Sequence, residues 1–185
     1  METTDSNQLQ VHQVTLAGKT YNDTTYINKP VGNAYIQCSW FDDKQMKFME
    51  EGLEAIGENP TVSLEYSHHP LSHQYKNINV NEHPEVMDDL EWQQATLNLD
   101  INAMKLHPFG IALYMPSDPD EGITWESGFL YASHKPNLVV IPKEETTVPI
   151  NLMMIGNTQI ITIDKLANFD FNKDLIYKPY TGKVF

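Results

Sequence analysis

Two carboxylates occupy apolar faces of segments that the sequence predicts to be helical. The first is Asp100, which follows Leu97 by three residues and precedes Met104 by four, so that all three share one helix face. A carboxylate in such a place either is paired or has a raised pKa. A buried Asp that only bonds to nearby backbone fits the spacing as well as an acid–base residue does. Spacing alone leaves both interpretations open.

The second carboxylate, Glu126, shares a helix face with Phe129 and Leu130, near a helix start that follows a predicted strand. The positive end of the helix dipole favours an ionised carboxylate there. An ionised Glu at the carboxyl end of a strand is a candidate nucleophile. The alternative is a Glu that only stabilises the first turns of its helix. Position alone favours this alternative.

Other polar clusters give weaker signals. The acidic turn 118–121 lacks the spacing of an EF-hand calcium loop. His68, His69 and His73 are interpreted as ordinary loop residues, because neither a helical His pair nor a cysteine partner accompanies them. A metal is therefore not expected at these histidines. Cys38 is interpreted as a small lining residue rather than a nucleophile. Both the G-x-G-x-x-G and the Walker patterns are missing from the sequence, so a nucleotide cofactor is not expected either.

The elements that position these residues alternate along the chain from residue 34 onward. Strands are predicted at 34–36, 61–66, 109–115, 137–141 and 159–163, and helices at 42–57, 84–104, 121–135 and 151–155. This order predicts an α/β fold, an open parallel sheet of about five strands with helices on both faces. Ligands of such sheets bind beyond the carboxyl ends of the strands. The segments after Ile36, Tyr66 and Met115 are therefore expected to line the site.

Residues 1–33 differ in composition from the rest of the chain. They are rich in Thr, Asn and Gln and end in a turn-rich joint at 29–33. Short β-leaning runs on either side of Ala17 and Gly18 favour a small hairpin within 11–27. We therefore predict an N-terminal extension over 1–33 and a single domain over 34–185.

Composition and charge exclude several classes of function. The 185 residues include 25 acidic and 12 basic side chains, which gives a net charge of −13 with His neutral. Binding of a nucleic acid polymer or of an anionic membrane is not expected, because both need a basic face. The sequence contains neither an apolar run of about 20 residues nor a secretory signal at its start. A single cysteine excludes an internal disulfide, and together these features predict a cytoplasmic protein.

Five separated motifs resemble the nucleoside 2-deoxyribosyltransferase family, over residues 35–185. They are DPDEGITWESGFLYA at 118–132 followed by KP at 135–136, HQYK at 73–76 followed by EHPE at 82–85, ATLNLD at 95–100, NLM at 151–153 and FDFNK at 169–173. The second motif is similar to the branch that accepts both purines and pyrimidines. The resemblance implies a flavodoxin-like fold and a homo-oligomer, a hexamer or dimer, with shared active sites. The implied partners are small-molecule nucleosides and free nucleobases.

The resemblance implies catalytic roles for three residues. Glu126 would attack the anomeric carbon of a 2′-deoxynucleoside, Asp100 would protonate the departing base and deprotonate the incoming one, and Tyr35 would orient the Glu126 carboxylate. Such bonds break through an oxocarbenium-like state that uses one carboxylate as nucleophile and one as acid. Glu126 is expected to be ionised and Asp100 protonated, because burial and repulsion separate their pKa values. The expected intermediate is a deoxyribosyl ester on Glu126, and two displacements give net retention.

The resemblance also implies substrate-binding residues. Asp120 and Asn151 would hold sugar hydroxyls, Gln74 would contact the base edge, and Met153 would help to close the site. Asn151 and Met153 would come from a neighbouring subunit. The aromatic rings of Trp40 and Phe41 could stack on a base, although each could equally belong to the core.

Two positions depart from the family pattern. Gln37 stands where the family has small residues after the first strand, so it is a candidate for altering sugar or base preference. The chain ends in Phe185 where the branch tends to have Tyr, which keeps the ring and the terminal carboxylate but lacks the phenol hydroxyl.

Two other functions compete with base exchange. One is an N-glycosidic hydrolase of the same fold that acts on nucleosides or their monophosphates, although the acidic turn 118–120 disfavours a phosphate there. The other is a non-catalytic nucleoside-binding protein, which would have no need of a nucleophile.

Overall fold

The computed structural model describes residues 8–185, and the first seven residues of the predicted extension lie outside this range. In chain order the regular elements are β1 (Leu9–Leu16), β2 (Lys19–Tyr26), β3 (Ala34–Gln37), α1 (Asp43–Gly57), α2 (Leu90–Leu106), β4 (Phe109–Leu113), α3 (Glu121–Ala132), β5 (Asn137–Ile141) and β6 (Gln159–Thr162). Short 3-10 helices occupy Pro70–Ser72, Tyr75–Asn77, Pro84–Asp88, Lys143–Glu145, Leu152–Gly156 and Ile163–Asn168.

Strands β3 to β6 form one parallel sheet in the order β3-β4-β5-β6. Strands β4 and β5 are buried throughout, as expected for parallel strands covered on both faces. On one face, Ile111 and Leu138 pack with apolar residues of α1, such as Leu53. On the other face, Tyr35 packs with residues of α2 and α3, including Leu130. The predicted open parallel sheet with helices on both faces is confirmed.

Each of the three α-helices begins after an Asp that caps it. Asp42, Asp89 and Asp120 each accept a hydrogen bond from a backbone N–H in the first turn that follows. The cap at Asp89 explains why α2 begins at Leu90, later than the predicted 84, because Pro84–Asp88 forms a separate 3-10 turn. Helix α3 ends at Ala132, short of the predicted 135, and His134 there adopts a positive φ of 56°.

The expectation of a regular strand over 61–66 is wrong. Val62 and His68 form only isolated parallel bridges, to Gly32 and Tyr35, beside the edge strand β3. The N–H groups of Leu64 and Glu65 donate to the side chain of Asp23 instead of to a neighbouring strand. The fifth strand position is therefore filled by an irregular segment, 61–68.

The expected hairpin is confirmed, with β1 and β2 antiparallel around Ala17 and Gly18. Both turn residues have positive φ, 50° and 76°, as a tight two-residue hairpin turn requires. The hairpin packs on α1, where a side chain at Gly57 would place its Cβ 1.9 Å from the carbonyl oxygen of Asn22. Its Tyr21 belongs to the main core.

Asp23 ties the hairpin to segment 61–68. Its carboxylate accepts hydrogen bonds from Ser63 Oγ at 2.6 Å, Leu64 N at 2.9 Å and Glu65 N at 3.1 Å, and the residue is buried. Removing this acceptor leaves three buried or half-buried donors without a partner, which costs much more than the hydrogen bonds contribute on balance.

We therefore expect Asp23→Ala to lower the free energy of unfolding by about 2–4 kcal/mol, measured by urea denaturation. The exposed Asp88→Ala is the control and should change it by less than about 0.5 kcal/mol. Equal effects of the two substitutions would contradict the structural role of Asp23.

Candidate active site

The site is centred on a hydrogen bond between β3 and α3. The hydroxyl of Tyr35 donates to Oε1 of Glu126 at 2.5 Å. Tyr35 is fully buried on β3, and Glu126 lies in the second turn of α3, which begins after its cap at Asp120. Burial and the nearby Glu126 carboxylate raise the pKa of Tyr35 well above its usual range, so the phenol stays protonated and remains a donor. The strand thus fixes the orientation of the Glu126 carboxylate.

Burial raises the pKa of Glu126 to about 8. The hydrogen bond from Tyr35 opposes this shift, whereas the negative charges of Asp100 and Asp120 add to it. This shift favours the neutral form of Glu126 at neutral pH in the unliganded protein, against the expectation that it is ionised. The helix dipole that favours the ionised form is outweighed here by the loss of hydration.

Asp100 lies on α2, and its Oδ1 is 3.1 Å from Nε2 of His68. Its side chain is 19% exposed, so it is reachable from solvent without being on the open surface. Asp100 is therefore paired with His68. A pairing of this kind was one of the two alternatives that the position of Asp100 on its helix indicated. Tyr35, Glu126 and Asp100 are brought together by β3, α3 and α2.

The acidic turn before α3 is held by hydrogen bonds from several parts of the chain. Oδ1 of Asp120 accepts from the backbone N–H of Ile123 at 2.8 Å, and Oδ2 of Asp118 accepts from the Gln45 amide at 3.1 Å. In the same turn, Ser117 donates to Glu145 through both its backbone N–H and its hydroxyl. The turn is thus an ordered part of the site rather than a solvated acidic loop.

Gln37 is fully buried and belongs to a network of polar side chains beneath the site. Its Nε2 donates to Oδ1 of Asn137 at 2.8 Å, and its Oε1 accepts from the Ser127 hydroxyl at 2.9 Å. Asn137 also donates to Asn157. Both ends of the Gln37 amide are therefore engaged by protein groups.

The other candidate residues after β3 lie in different surroundings. Trp40 packs partly against the core, and its indole Nε1 is buried without a hydrogen-bond partner among residues 8–185. The neighbouring Phe41 is 72% exposed. Gln74 is buried, and its Oε1 accepts from the backbone N–H of Val80 at 2.8 Å, which orders the loop that follows.

A second group of predicted site residues belongs to the 3-10 helix Leu152–Gly156 and to the end of the chain. Asn151 caps the 3-10 helix Leu152–Gly156, on which Met153 is 78% exposed. The last residue, Phe185, pairs with this segment through its backbone, and its side chain is also exposed. Met153 and Leu152 line a cavity of about 520 Å³ against α3. Exposed apolar side chains of this kind are suited to an interface with another protein chain.

Among residues 8–185, His, Cys, Asp and Glu side chains form no group of three or more that is arranged to hold a metal ion. Over the same range, every helix is too short or too polar to span a membrane.

Comparison with known proteins decides the family. The sequence model described as Nucleoside 2-deoxyribosyltransferase matches residues 34–165. The chain is 40% identical over 157 residues to the nucleoside deoxyribosyltransferase of Lactobacillus leichmannii, which covers 84% of this chain and 99% of that relative. It is also 40% identical over 149 residues to that of Lactobacillus johnsonii, which covers 80% and 99%. The chain belongs to the nucleoside 2-deoxyribosyltransferase family.

The fold agrees with this membership. The chain is similar to the solved structure of a 2-deoxyribosyltransferase from Bacillus psychrosaccharolyticus, with a TM-score of 0.62 and 22% identity over 80% of this chain and 98% of that one. The likeness confirms the α/β architecture and is consistent with a flavodoxin-like arrangement. The match to the 2-deoxyribosyltransferase family model begins at Ala34, the first residue of β3, so the hairpin precedes it.

His68 is the residue of this 2-deoxyribosyltransferase site that sequence reasoning missed. The loop histidines were expected to be ordinary loop residues, yet the His68 ring contacts Asp100 and stacks on Tyr35. The cause is the bridge between His68 and Tyr35, which brings the start of the loop beside β3. A histidine directly after a segment that pairs with a catalytic strand is the signal that could have found it.

The role of the Tyr35–Glu126 hydrogen bond can be tested through the pH dependence of kcat/KM. The acid limb of this profile is the fall in kcat/KM at low pH, where Glu126 becomes protonated. Because this bond opposes the raised pKa of Glu126, Tyr35→Phe should move that pKa further above about 8 and shrink the ionised fraction at pH 7. The acid limb of kcat/KM should shift to higher pH, and kcat/KM at pH 7 should fall by about 10- to 100-fold.

The measurement is kcat/KM for a 2′-deoxynucleoside from pH 5 to 10. Tyr26→Phe, a change of the same kind in the hairpin, is the control and should leave the profile unchanged. An acid limb in Tyr35→Phe that coincides with the unmodified protein would refute the role of this hydrogen bond.

Proposed function

We propose that this protein exchanges the nucleobase of 2′-deoxyribonucleosides, with Glu126 as nucleophile, Asp100 as acid and base, and Tyr35 as the residue that orients Glu126. The single observation that carries these roles is the 2.5 Å hydrogen bond from a buried phenol to a half-buried carboxylate, with a second carboxylate beside it. A structural Glu at a helix start would be more stable facing water, because burial penalises its charge.

In the first half-reaction, an ionised Glu126 attacks the anomeric carbon of the sugar. A bond forms between C1′ and a carboxylate oxygen as the bond from C1′ to the base nitrogen breaks. The electron pair of the broken bond goes to the base, which takes a proton from Asp100. Positive charge that develops on the sugar favours the ionised form of Glu126 over the neutral form.

In the second half-reaction, another nucleobase attacks C1′ and releases the Glu126 carboxylate. Asp100, now ionised, takes the proton that the incoming base loses. Two inversions at one carbon give net retention. Over the whole cycle Asp100 gives up one proton and regains one, and Glu126 returns to its free carboxylate.

Substrate-binding roles are proposed for the remaining residues. We propose that Asp120, whose charge adds to the raised pKa of Glu126, holds a sugar hydroxyl. The unpartnered indole N–H of Trp40 supports contact with the substrate, and Phe41 offers an exposed ring for stacking on a base. We propose Gln74 as a contact of the base edge and Gln37 as a residue that influences sugar preference from below.

We propose a homo-oligomer, a hexamer or dimer, in which Asn151, Met153 and Phe185 of one subunit complete the site of a neighbour. The exposure of Met153 and Phe185 beside the exposed Leu152 supports this, because a contiguous exposed apolar patch often marks a protein interface.

We further propose that residues 1–33 are an accessory extension of a catalytic domain over 34–185. The start of the family match at residue 34 supports this division. A cytoplasmic location fits a chain with a single cysteine, which is buried and unpaired.

Incubation with thymidine and adenine tests the proposal directly. We expect deoxyadenosine and thymine, followed by chromatography, and a loss of transfer of at least about 1,000-fold in Glu126→Ala. The control is Glu121→Ala, which changes an exposed Glu in the first turn of the same helix and should retain activity. Circular dichroism of both variants checks that α3 and the sheet are intact.

Three outcomes would contradict the proposal in different ways. Free deoxyribose in place of deoxyadenosine would indicate a hydrolase, in which water outcompetes the second base. Substantial transfer by Glu126→Ala would exclude Glu126 as the nucleophile. Tight binding of thymidine without any product would indicate a nucleoside-binding protein.

A further inference from the structure

The His68 ring contacts Asp100 and the tyrosine that donates to Glu126. Its Nε2 is 3.1 Å from Oδ1 of Asp100. The same ring stacks on Tyr35, the donor to Glu126, with ring centroids 5.4 Å apart and planes inclined by 11°. The His68 side chain is only 11% exposed, so its imidazole is largely removed from water. The ring is therefore placed to influence the orientation of the Asp100 carboxyl group.

Backbone pairing and stacking fix the position of this ring. His68 N donates to Ala34 O at 2.9 Å, and Ile36 N donates to His68 O at 2.8 Å, on either side of Tyr35 in the chain. A second ring, His73, stacks on His68 with centroids 4.6 Å apart. The imidazole is therefore held in register with the strand that also orients Glu126.

We propose that His68 is a positioning residue that holds Asp100 for proton exchange with the nucleobase, an inference that rests on the function proposed above. In the neutral tautomer that carries its proton on Nε2, the ring donates to Oδ1 of Asp100. This hydrogen bond persists whether Asp100 is protonated or ionised, because the exchanged proton resides on the other oxygen, Oδ2. The bond thereby selects Oδ2 as the oxygen that meets the base.

The proton balance of the reaction is unchanged by His68. In the first half-reaction the proton on Oδ2 of Asp100 passes to the departing base, and in the second it returns from the incoming base. The hydrogen bond from Nε2 strengthens when Asp100 becomes a carboxylate, because bonds to charged acceptors are stronger than bonds to neutral ones. His68 therefore stabilises the state in which Asp100 has given its proton to the base.

The titratable groups around the His68 ring come from several elements of the fold. They are Asp100 on α2, His107 just after α2 with its ring centroid 6.1 Å away, Tyr35 on β3 with Glu126 behind it, and His69 and His73 on the same loop. Burial lowers the pKa of His69 to about 3 and also lowers that of His73. Both are thus neutral at pH 7, and the carboxyl group within hydrogen-bond distance of the His68 ring is that of Asp100.

Two substitutions separate the hydrogen bond from the stacking. His68→Phe keeps a ring against Tyr35 but removes the donor, whereas His68→Gln keeps an N–H at a similar reach but removes the ring. For transfer from thymidine to adenine we expect His68→Phe to lower kcat by about 10- to 100-fold, with the KM for thymidine changed by less than about threefold. His68→Gln should recover most of the lost kcat.

Changing the departing base separates a role in proton exchange from a structural role. A structural defect would lower kcat equally for all bases. The base of 5-fluoro-2′-deoxyuridine leaves more readily than thymine, because fluorine stabilises the negative charge of the departing ring. Help from Asp100 then matters less. The loss of kcat in His68→Phe should therefore be at least about threefold smaller with 5-fluoro-2′-deoxyuridine than with thymidine.

The control is His12→Phe, which changes an exposed histidine on β1 and should leave kcat unchanged with both substrates. Thermal melting checks folding, and if His68→Phe melts early, His68→Asn replaces it, since the shorter amide falls short of Asp100. An equal loss of kcat with both substrates, or no rescue by His68→Gln, would overturn the inference. An unmodified protein that turns over neither substrate would instead overturn the proposed function.

Discussion

The hydrogen bond from Tyr35 to Glu126 is the interaction on which the rest of the site depends. It joins the edge strand β3 to helix α3, and it gives a half-buried carboxylate a fixed orientation. Burial of Glu126 also has a thermodynamic consequence. A Glu whose pKa rises from 4.5 to about 8 on folding contributes stability that is fully present below pH 4.5 and is lost as the pH rises through 8. The protein thus gives up stability as the pH approaches that at which Glu126, the proposed nucleophile, becomes ionised.

The two carboxylates could be found from the sequence because each breaks an apolar helix face, a pattern that needs only local periodicity. The order of strands and helices was accessible for the same reason. The protonation state of Glu126 could not be predicted from the sequence. Its pKa depends on burial and on the side chains of Tyr35 and Asp100, which belong to other elements of the fold. The pairing of Asp100 with His68 was equally hidden, since it joins residues that are far apart in sequence.

The irregular segment 61–68 shows how one buried side chain redirects a local preference. Its composition favours a strand, but Asp23 of the hairpin takes up the N–H groups that a strand would pair. The backbone of Ala17, in the hairpin turn, also donates to Ser72 at 2.8 Å, four residues beyond His68. The hairpin therefore supports both ends of the stretch that carries His68 to Asp100. Sequence periodicity cannot reveal a partner that lies outside the segment itself.

A trapped intermediate tests the central claim that Glu126 is the nucleophile. A 2′-fluoro-substituted deoxynucleoside slows release of the sugar, because fluorine destabilises the cationic transition state, so the ester should accumulate. Peptide mass spectrometry after acid quench is expected to show the added sugar on the peptide that contains Glu126, and adenine should remove it. A sugar attached to Asp100 or another residue, or turnover without any attached sugar, would contradict the account.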